Sequence, residues 1–183
     1  ITASSKTYDA DATATTDVTS ADYTGLVVGD LVSVAATGTF SDKNVDTGKT
    51  VTLSSTYSGA DKDNYTFTDQ ASTTADIAAK PITVSGITAS NKTYNGNTTA
   101  TIDTSTVNQT GIGILAGDTV TISATGLFSD KNVGSSKTVT LTSSYGGTDA
   151  TNYTFTDQAS TTADITKASP SISGLSNQTK TTS

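Results

Sequence analysis

Apolar and polar residues alternate along several short stretches of the 183-residue chain. In Thr119–Ala124, Val120, Ile122 and Ala124 share one parity while Thr119, Thr121 and Ser123 share the other; Val32, Val34 and Ala36 repeat the pattern earlier. A period of two sends successive side chains to opposite faces of a strand, so these positions predict half-buried β-strands. Val51 with Leu53, Tyr65 with Phe67, Ala75 with Ile77, Val139 with Leu141, Tyr153 with Phe155, and Ala163 with Ile165 extend the inward set, and Ile82 and Val84 begin a further strand behind Pro81. Turn chemistry separates the runs: Asn95-Gly96 predicts a type I′ hairpin, and Ser58-Gly59 and Gly146-Gly147 each precede an Asp-containing bend. No helical period is sustained. The expected fold is all-β: two tandem antiparallel β-sandwich-like (Ig-like) repeat domains of about six to eight short strands each, in an elongated array. Their expected aromatic core is Tyr8, Phe40, Tyr65 and Phe67 in one and Tyr94, Phe128, Tyr153 and Phe155 in the other.

The two-domain expectation rests on an internal repeat. From Phe40 to Ile77 against Phe128 to Ile165, 29 of 38 residues are identical, and Asn64–Ile77 recurs unchanged as Asn152–Ile165. Upstream, Ile1-Thr-Ala-Ser-Ser-Lys-Thr-Tyr8 matches Ile87-Thr-Ala-Ser-Asn-Lys-Thr-Tyr94. A unit of about 86 to 88 residues is too long for a solenoid coil and suits a small domain with its own core. The expected boundaries are 1–80 and 81–167 for the two modules, with 168–183 a linker and the start of a following module. Lys80–Gly86 has no counterpart before Ile1, and Lys167–Gly174 restarts the linker pattern. The chain is therefore expected to be cut from a longer tandem array, with any export signal outside it.

Composition narrows the chemistry. The chain has 42 Thr and 24 Ser, no His, Cys, Met, Trp, Arg or Glu, and only Lys (10) and Asp (17) as charged residues, for a net charge of −7. Thr suits half-buried strands. The missing types are those that most often perform catalysis, so an enzyme is not expected. An acidic chain with dispersed Lys lacks the basic patch that nucleic acid requires. No apolar run approaches the roughly 18 residues of a membrane helix.

Several motifs taken together resemble a known family. Lys6-Thr-Tyr-Asp-Ala10 and Lys92-Thr-Tyr-Asn-Gly96, the Gly-Asp before an alternating strand, Phe-Ser-Asp-Lys-Asn-Val, and Asn-Tyr-Thr-Phe before Thr-Ala-Asp-Ile together resemble the YDG repeat of large bacterial surface proteins, over nearly all of residues 1–166. Neither copy has the full Tyr-Asp-Gly: the first has Asp9 followed by Ala10, the second Asn95 followed by Gly96. Ile172–Thr181 resembles the start of a related Ig-like surface domain. The resemblance implies an extracellular, non-catalytic segment of a haemagglutinin-like or two-partner-secreted adhesin. The expected role is a stalk that extends a distal binding region for adhesion or biofilm attachment. The alternatives are self-association into a filament by strand exchange and direct binding of glycan or matrix. Expected partners are neighbouring repeats of the same chain, host or matrix glycans and proteins, or other copies of itself.

Weaker candidates remain. Asp9 with Asp11, and Asp61, Asp63 and Asn64, are spaced like calcium ligands, and Asp149 is the counterpart of Asp61. The second copy replaces Asp11 with Asn97 and Asp63 with Thr151, so solvated turn Asp is the expectation, with no cofactor and structural calcium as the alternative. Asp42-Lys43-Asn44 and Asp130-Lys131-Asn132 hold the residue types of an isopeptide cross-link but read as exposed turns. Asn64, Asn91, Asn97, Asn108, Asn152 and Asn177 match Asn-X-Ser/Thr, close to what so much Ser and Thr gives by chance. Thr-X-Thr rows lack the short period of an ice-binding face. Tyr23, unique to the first copy, is the candidate for carbohydrate contact.

Overall fold

A computed structural model describes residues 1–174; the resemblance read from Leu175 onward lies outside the described residues. The chain is all-β. The first repeat holds β1 (Thr2–Ala3), β2 (Lys6–Thr7), β3 (Thr13–Ala14), β4 (Thr16–Asp17), β5 (Ser33–Phe40), β6 (Asp46–Ser58) and β7 (Ser72–Ala78). The linker strand β8 (Lys80–Thr83) follows. The second repeat holds β9 (Thr88–Ala89), β10 (Lys92–Thr93), β11 (Thr99–Ala100), β12 (Ile102–Asp103), β13 (Thr121–Phe128), β14 (Gly134–Gly146), β15 (Tyr153–Thr156) and β16 (Ser160–Thr166).

The period-two reading holds on the long strands. Along β5 every even residue from Val34 to Phe40 faces inward and every odd one is exposed, and in β6 Lys49, Val51 and Leu53 are buried between exposed neighbours. β5, β6 and β7 form an antiparallel meander, with Phe40 opposite Val51 and Val51 opposite Thr73. The short strands close it at both edges, giving the order β2-β7-β6-β5-β3, which recurs as β10-β16-β14-β13-β11. β1 with β4, and β9 with β12, form separate two-stranded ribbons.

The expectation of purely antiparallel sheets is corrected. β2 runs parallel to β7, β10 to β16, and β8 to β15. A parallel neighbour needs a crossover connection rather than a hairpin. β2 precedes the meander in sequence but lies against its last strand, so its pairing closes the sheet from the far side. The sheet curls enough for its two edges to share one cation. Lys6 Nζ, from edge strand β2, donates to the carbonyls of Asp11 (2.7 Å) and Thr13 (3.1 Å) beside edge strand β3, and sits 5.7 Å from the Phe40 ring centre. Lys92 does the same with Asn97 O (2.8 Å), Thr99 O (3.0 Å) and the Phe128 ring (5.1 Å). Inside each curl the core is Phe40, Val51, Leu53, Ala75 and Ile77, or Phe128, Val139, Leu141, Ala163 and Ile165, all buried.

Asn95-Gly96 does not form the expected type I′ hairpin. That turn needs positive φ at both central residues, but only Gly96 has it (φ 82°), and the segment joins β10 to β11, which lie on opposite edges. Ala10 takes the same left-handed conformation in the first repeat (φ 66°). Gly59 and Gly147 are required at their bends: a Cβ there would lie 2.1 Å from Leu31 O or 2.3 Å from Thr119 O.

Two compact units divide the chain. One comprises Ile1–Val84, Asn108–Ile122 and Tyr145–Thr156; the other comprises Ser85–Val107, Ser123–Ser144 and the chain from Asp157. The first unit thus contains the first repeat, the linker strand and two segments of the second repeat. No helix among the described residues is long and apolar enough to cross a membrane.

Candidate functional site

Within that first unit, residues more than 70 positions apart in sequence build a polar cluster where the two repeats join. Its centre is Asp118, in the Gly-Asp that precedes the alternating strand of the second repeat, with a side chain only 1 % exposed. A buried carboxylate is costly unless hydrogen bonds replace water. Three donors do so: Tyr153 Oη at 2.7 Å, Tyr8 Oη at 2.8 Å and Lys43 Nζ at 3.2 Å. Tyr8 and Tyr153 meet edge to face with ring centres 5.5 Å apart, and Lys43 lies 5.9 Å from the centre of the Tyr8 ring. Both are geometries that aromatic quadrupoles favour.

Beside it, Asn152 is 2 % exposed. Its Oδ1 accepts the Val45 N–H (3.0 Å), and its amide donates to Asn44 Oδ1 (3.2 Å). The Asp42-Lys43-Asn44 turn, expected to be an exposed bend, thus projects Lys43 and Asn44 into the cluster. Asp42 itself holds the turn by accepting Asn44 N–H (2.7 Å) and Lys49 Nζ (2.9 Å), and Asp130 repeats this with Asn132 and Lys137.

Ionisation follows from this geometry. Burial opposes the charge on Asp118, but the hydrogen bonds from Tyr153, Tyr8 and Lys43 outweigh it and hold the carboxyl below its ordinary range. Burial, then the Asp118 hydrogen bond, pushes the Tyr153 hydroxyl up to about 12 and raises Tyr8 as well. Lys43 is raised by Tyr8 and Asp118. At neutral pH the cluster is one carboxylate, one ammonium and two neutral phenols, joined in a hydrogen-bonded tie.

Four of the eight expected core aromatics are buried: Tyr8 (1 %), Phe40 (2 %), Phe128 (3 %) and Tyr153 (5 %). Tyr65, Phe67 and Phe155 are half-buried, and Tyr94 is corrected to a surface residue, 38 % exposed. Tyr8 is covered because Asp118 and Tyr153 close over it; among the described residues Tyr94 has no such cover. Sequence reasoning missed Tyr57 and Tyr145, which stack on Phe67 and Phe155 at 3.8 and 3.9 Å. Tyr57 continues the Val51-Leu53 parity, so the strand period carried the signal.

The Asp candidates hold backbone and lysines. Asp61 Oδ2 accepts Leu31 N–H (2.9 Å), and Asp149 Oδ2 accepts Thr119 N–H (2.8 Å) while its Oδ1 lies 3.8 Å from Lys43 Nζ. Asp63 pairs with Lys62, and the Asn64 N–H donates to Asp61 O. Asp9 takes Lys6 at 2.7 Å. Among the described residues no group of three or more His, Cys, Asp or Glu is arranged to hold a metal ion. Tyr23 Oη accepts the Val34 N–H at 2.9 Å.

Comparison with known proteins agrees with this duplicated architecture. No curated protein and no solved structure matches the chain. The YDG domain model matches twice, over residues 1–75 and 78–163, one match for each repeat, and the chain therefore belongs to the YDG domain family.

Proposed function

We propose that this chain is a stalk segment of a large bacterial extracellular adhesin: tandem β-sandwich-like modules in an elongated array that hold a distal binding region away from the cell surface. Its mechanism is mechanical and non-catalytic, and its partners are the modules before and after it. The observation that carries this reading is that each repeat holds both halves of the tie. One half is Tyr8, Lys43 and Asn44, with Tyr94, Lys131 and Asn132 as counterparts; the other is Asp118, Asn152 and Tyr153, with Asp30, Asn64 and Tyr65 as counterparts. The second half is already assembled in the first repeat, where Tyr65 Oη donates to Asp30 at 2.6 Å. A module with a tie at each end extends by addition of identical units, as a spacer requires.

The test is small-angle X-ray scattering on chains of two, four and six repeats, made by reiterating residues 80–166, with calcium and with chelator. The expected result is a maximum dimension that grows by a constant increment per repeat, independent of concentration and chelator. Compact chains, or growth with concentration, would overturn the spacer.

A further inference from the structure

The identical segments Asn64–Thr68 and Asn152–Thr156 differ in one respect that points to a binding site. In the second repeat, Tyr153–Thr156 is a strand because the linker β8 runs parallel beside it, Lys80 against Tyr153 and Ile82 against Phe155. The Val84 N–H extends this ladder to Thr156 O at 2.9 Å. The two-residue period of a parallel ladder then turns the backbone nitrogen of Pro81 away from β15, so its missing N–H costs nothing. Ile82 and Val84 point inward and are each 2 % exposed.

In the first repeat, 65–68 has the same residues and, among the described residues, no strand partner. In place of β8 there is a groove of about 570 Å³, lined by Ile1, Tyr23, Leu26, Tyr57, Tyr65 and Phe67 among others. Ile1 is half-buried where its counterpart Ile87 is 1 % exposed, and Leu26 is half-buried where its counterpart Ile114 is 4 % exposed.

We propose that this groove is an acceptor for a linker strand of the Lys-Pro-Ile-Thr-Val kind, joined ahead of Ile1 as Lys80–Gly86 is joined ahead of Ile87 and bound parallel to Tyr65–Thr68. Recognition is β-strand addition: main-chain bonds to an open edge, with two alternate aliphatic side chains entering the groove on the side of Leu26, Tyr57 and Phe67. The Lys167–Gly174 segment is a poor donor, because in the alignment that matches Ser173-Gly174 to Ser85-Gly86, Pro170 falls at the place of Ile82, whose N–H faces the acceptor strand. The occupant is therefore the aliphatic linker and not the tail of a second copy.

The test is amide hydrogen exchange by NMR on the 183-residue chain with and without Lys-Pro-Ile-Thr-Val-Ser-Gly fused ahead of Ile1. The fusion is expected to slow exchange at Thr66 and Thr68 by at least tenfold, to the level of Thr154 and Thr156, and to raise the melting temperature. A fusion with Asp for Ile at its third residue should do neither. Unchanged exchange at Thr66 and Thr68 in the fused chain would overturn the proposal. So would concentration-dependent protection of the same amides in the unfused chain, which would give the groove to a second copy. The junction tie through Asp118 is untouched by either fusion, so this result stands apart from the spacer reading.

Discussion

Asn64–Ile77 and Asn152–Ile165 are the same fourteen residues in two settings. Asn152 is buried and bonded to the Asn44-Val45 turn, whereas Asn64 is exposed. Tyr153 is 5 % exposed and shares Asp118 with Tyr8 and Lys43, whereas Tyr65 is half-buried and holds Asp30 without them. Four residues form a strand in one copy and none in the other. Local propensity is identical by construction, so the whole difference comes from what packs alongside: β8 on one side and the first repeat's turn on the other. Strand formation here is a property of the pair and not of the segment.

Removing those neighbours should make the copies alike, and the largest effect is expected at the tie. Asp118→Ala leaves two buried phenols and one ammonium without their acceptor and is expected to cost about 3 kcal/mol in urea unfolding. Asp30→Ala should lower the midpoint far less, and equal losses would break the comparison. Ile82→Ala removes the larger of the two buried aliphatic anchors of the linker and is also expected to cost about 3 kcal/mol. Its distinguishing mark is faster exchange at Thr154 and Thr156, with Thr66 and Thr68 unchanged.

Titration probes the tie next. Tyr153 titrates higher in the folded protein than its ordinary value near 10, so its contribution is complete below pH 10 and fades as pH rises toward 12. Asp118 titrates lower when folded, so its contribution is complete above its ordinary range and is lost as pH falls below about 3.8. Thermal melts should decline at both extremes, and Tyr153→Phe should flatten the alkaline limb. An unchanged limb would remove Tyr153 from the account.

The smallest effect is at the motif that departs from Tyr-Asp-Gly. Ala10 occupies the left-handed region that Gly96 occupies in the other copy, at a cost of about 1 kcal/mol for a residue with a Cβ. Ala10→Gly should therefore raise stability and Gly96→Ala lower it by similar amounts, read from melting temperatures.

The long strands were legible because burial on one face leaves a period of two in the residues, and the inward parity of β5, β6, β13 and β14 follows it. The short edge strands were not: two-residue strands such as Lys6–Thr7 carry no period, and their parallel pairing is fixed by chain closure. Tyr94 and Tyr8 are matched positions of the repeat and read alike in the sequence, whereas Asp118 and Tyr153, which cover Tyr8, belong to the other repeat. The tie was half legible. Lys-Thr-Tyr, Gly-Asp, Asp-Lys-Asn and Asn-Tyr each appear in both copies, which marks polar positions that strand packing alone does not require. That Tyr8 should meet Asp118, 110 residues away, has no local signature.

The central claim is that one sequence has two structures because only one copy has its neighbours. Amide exchange at four threonines of the unaltered chain tests it most directly. Thr154 and Thr156 are expected to exchange at least tenfold more slowly than Thr66 and Thr68; equal rates at all four would contradict it.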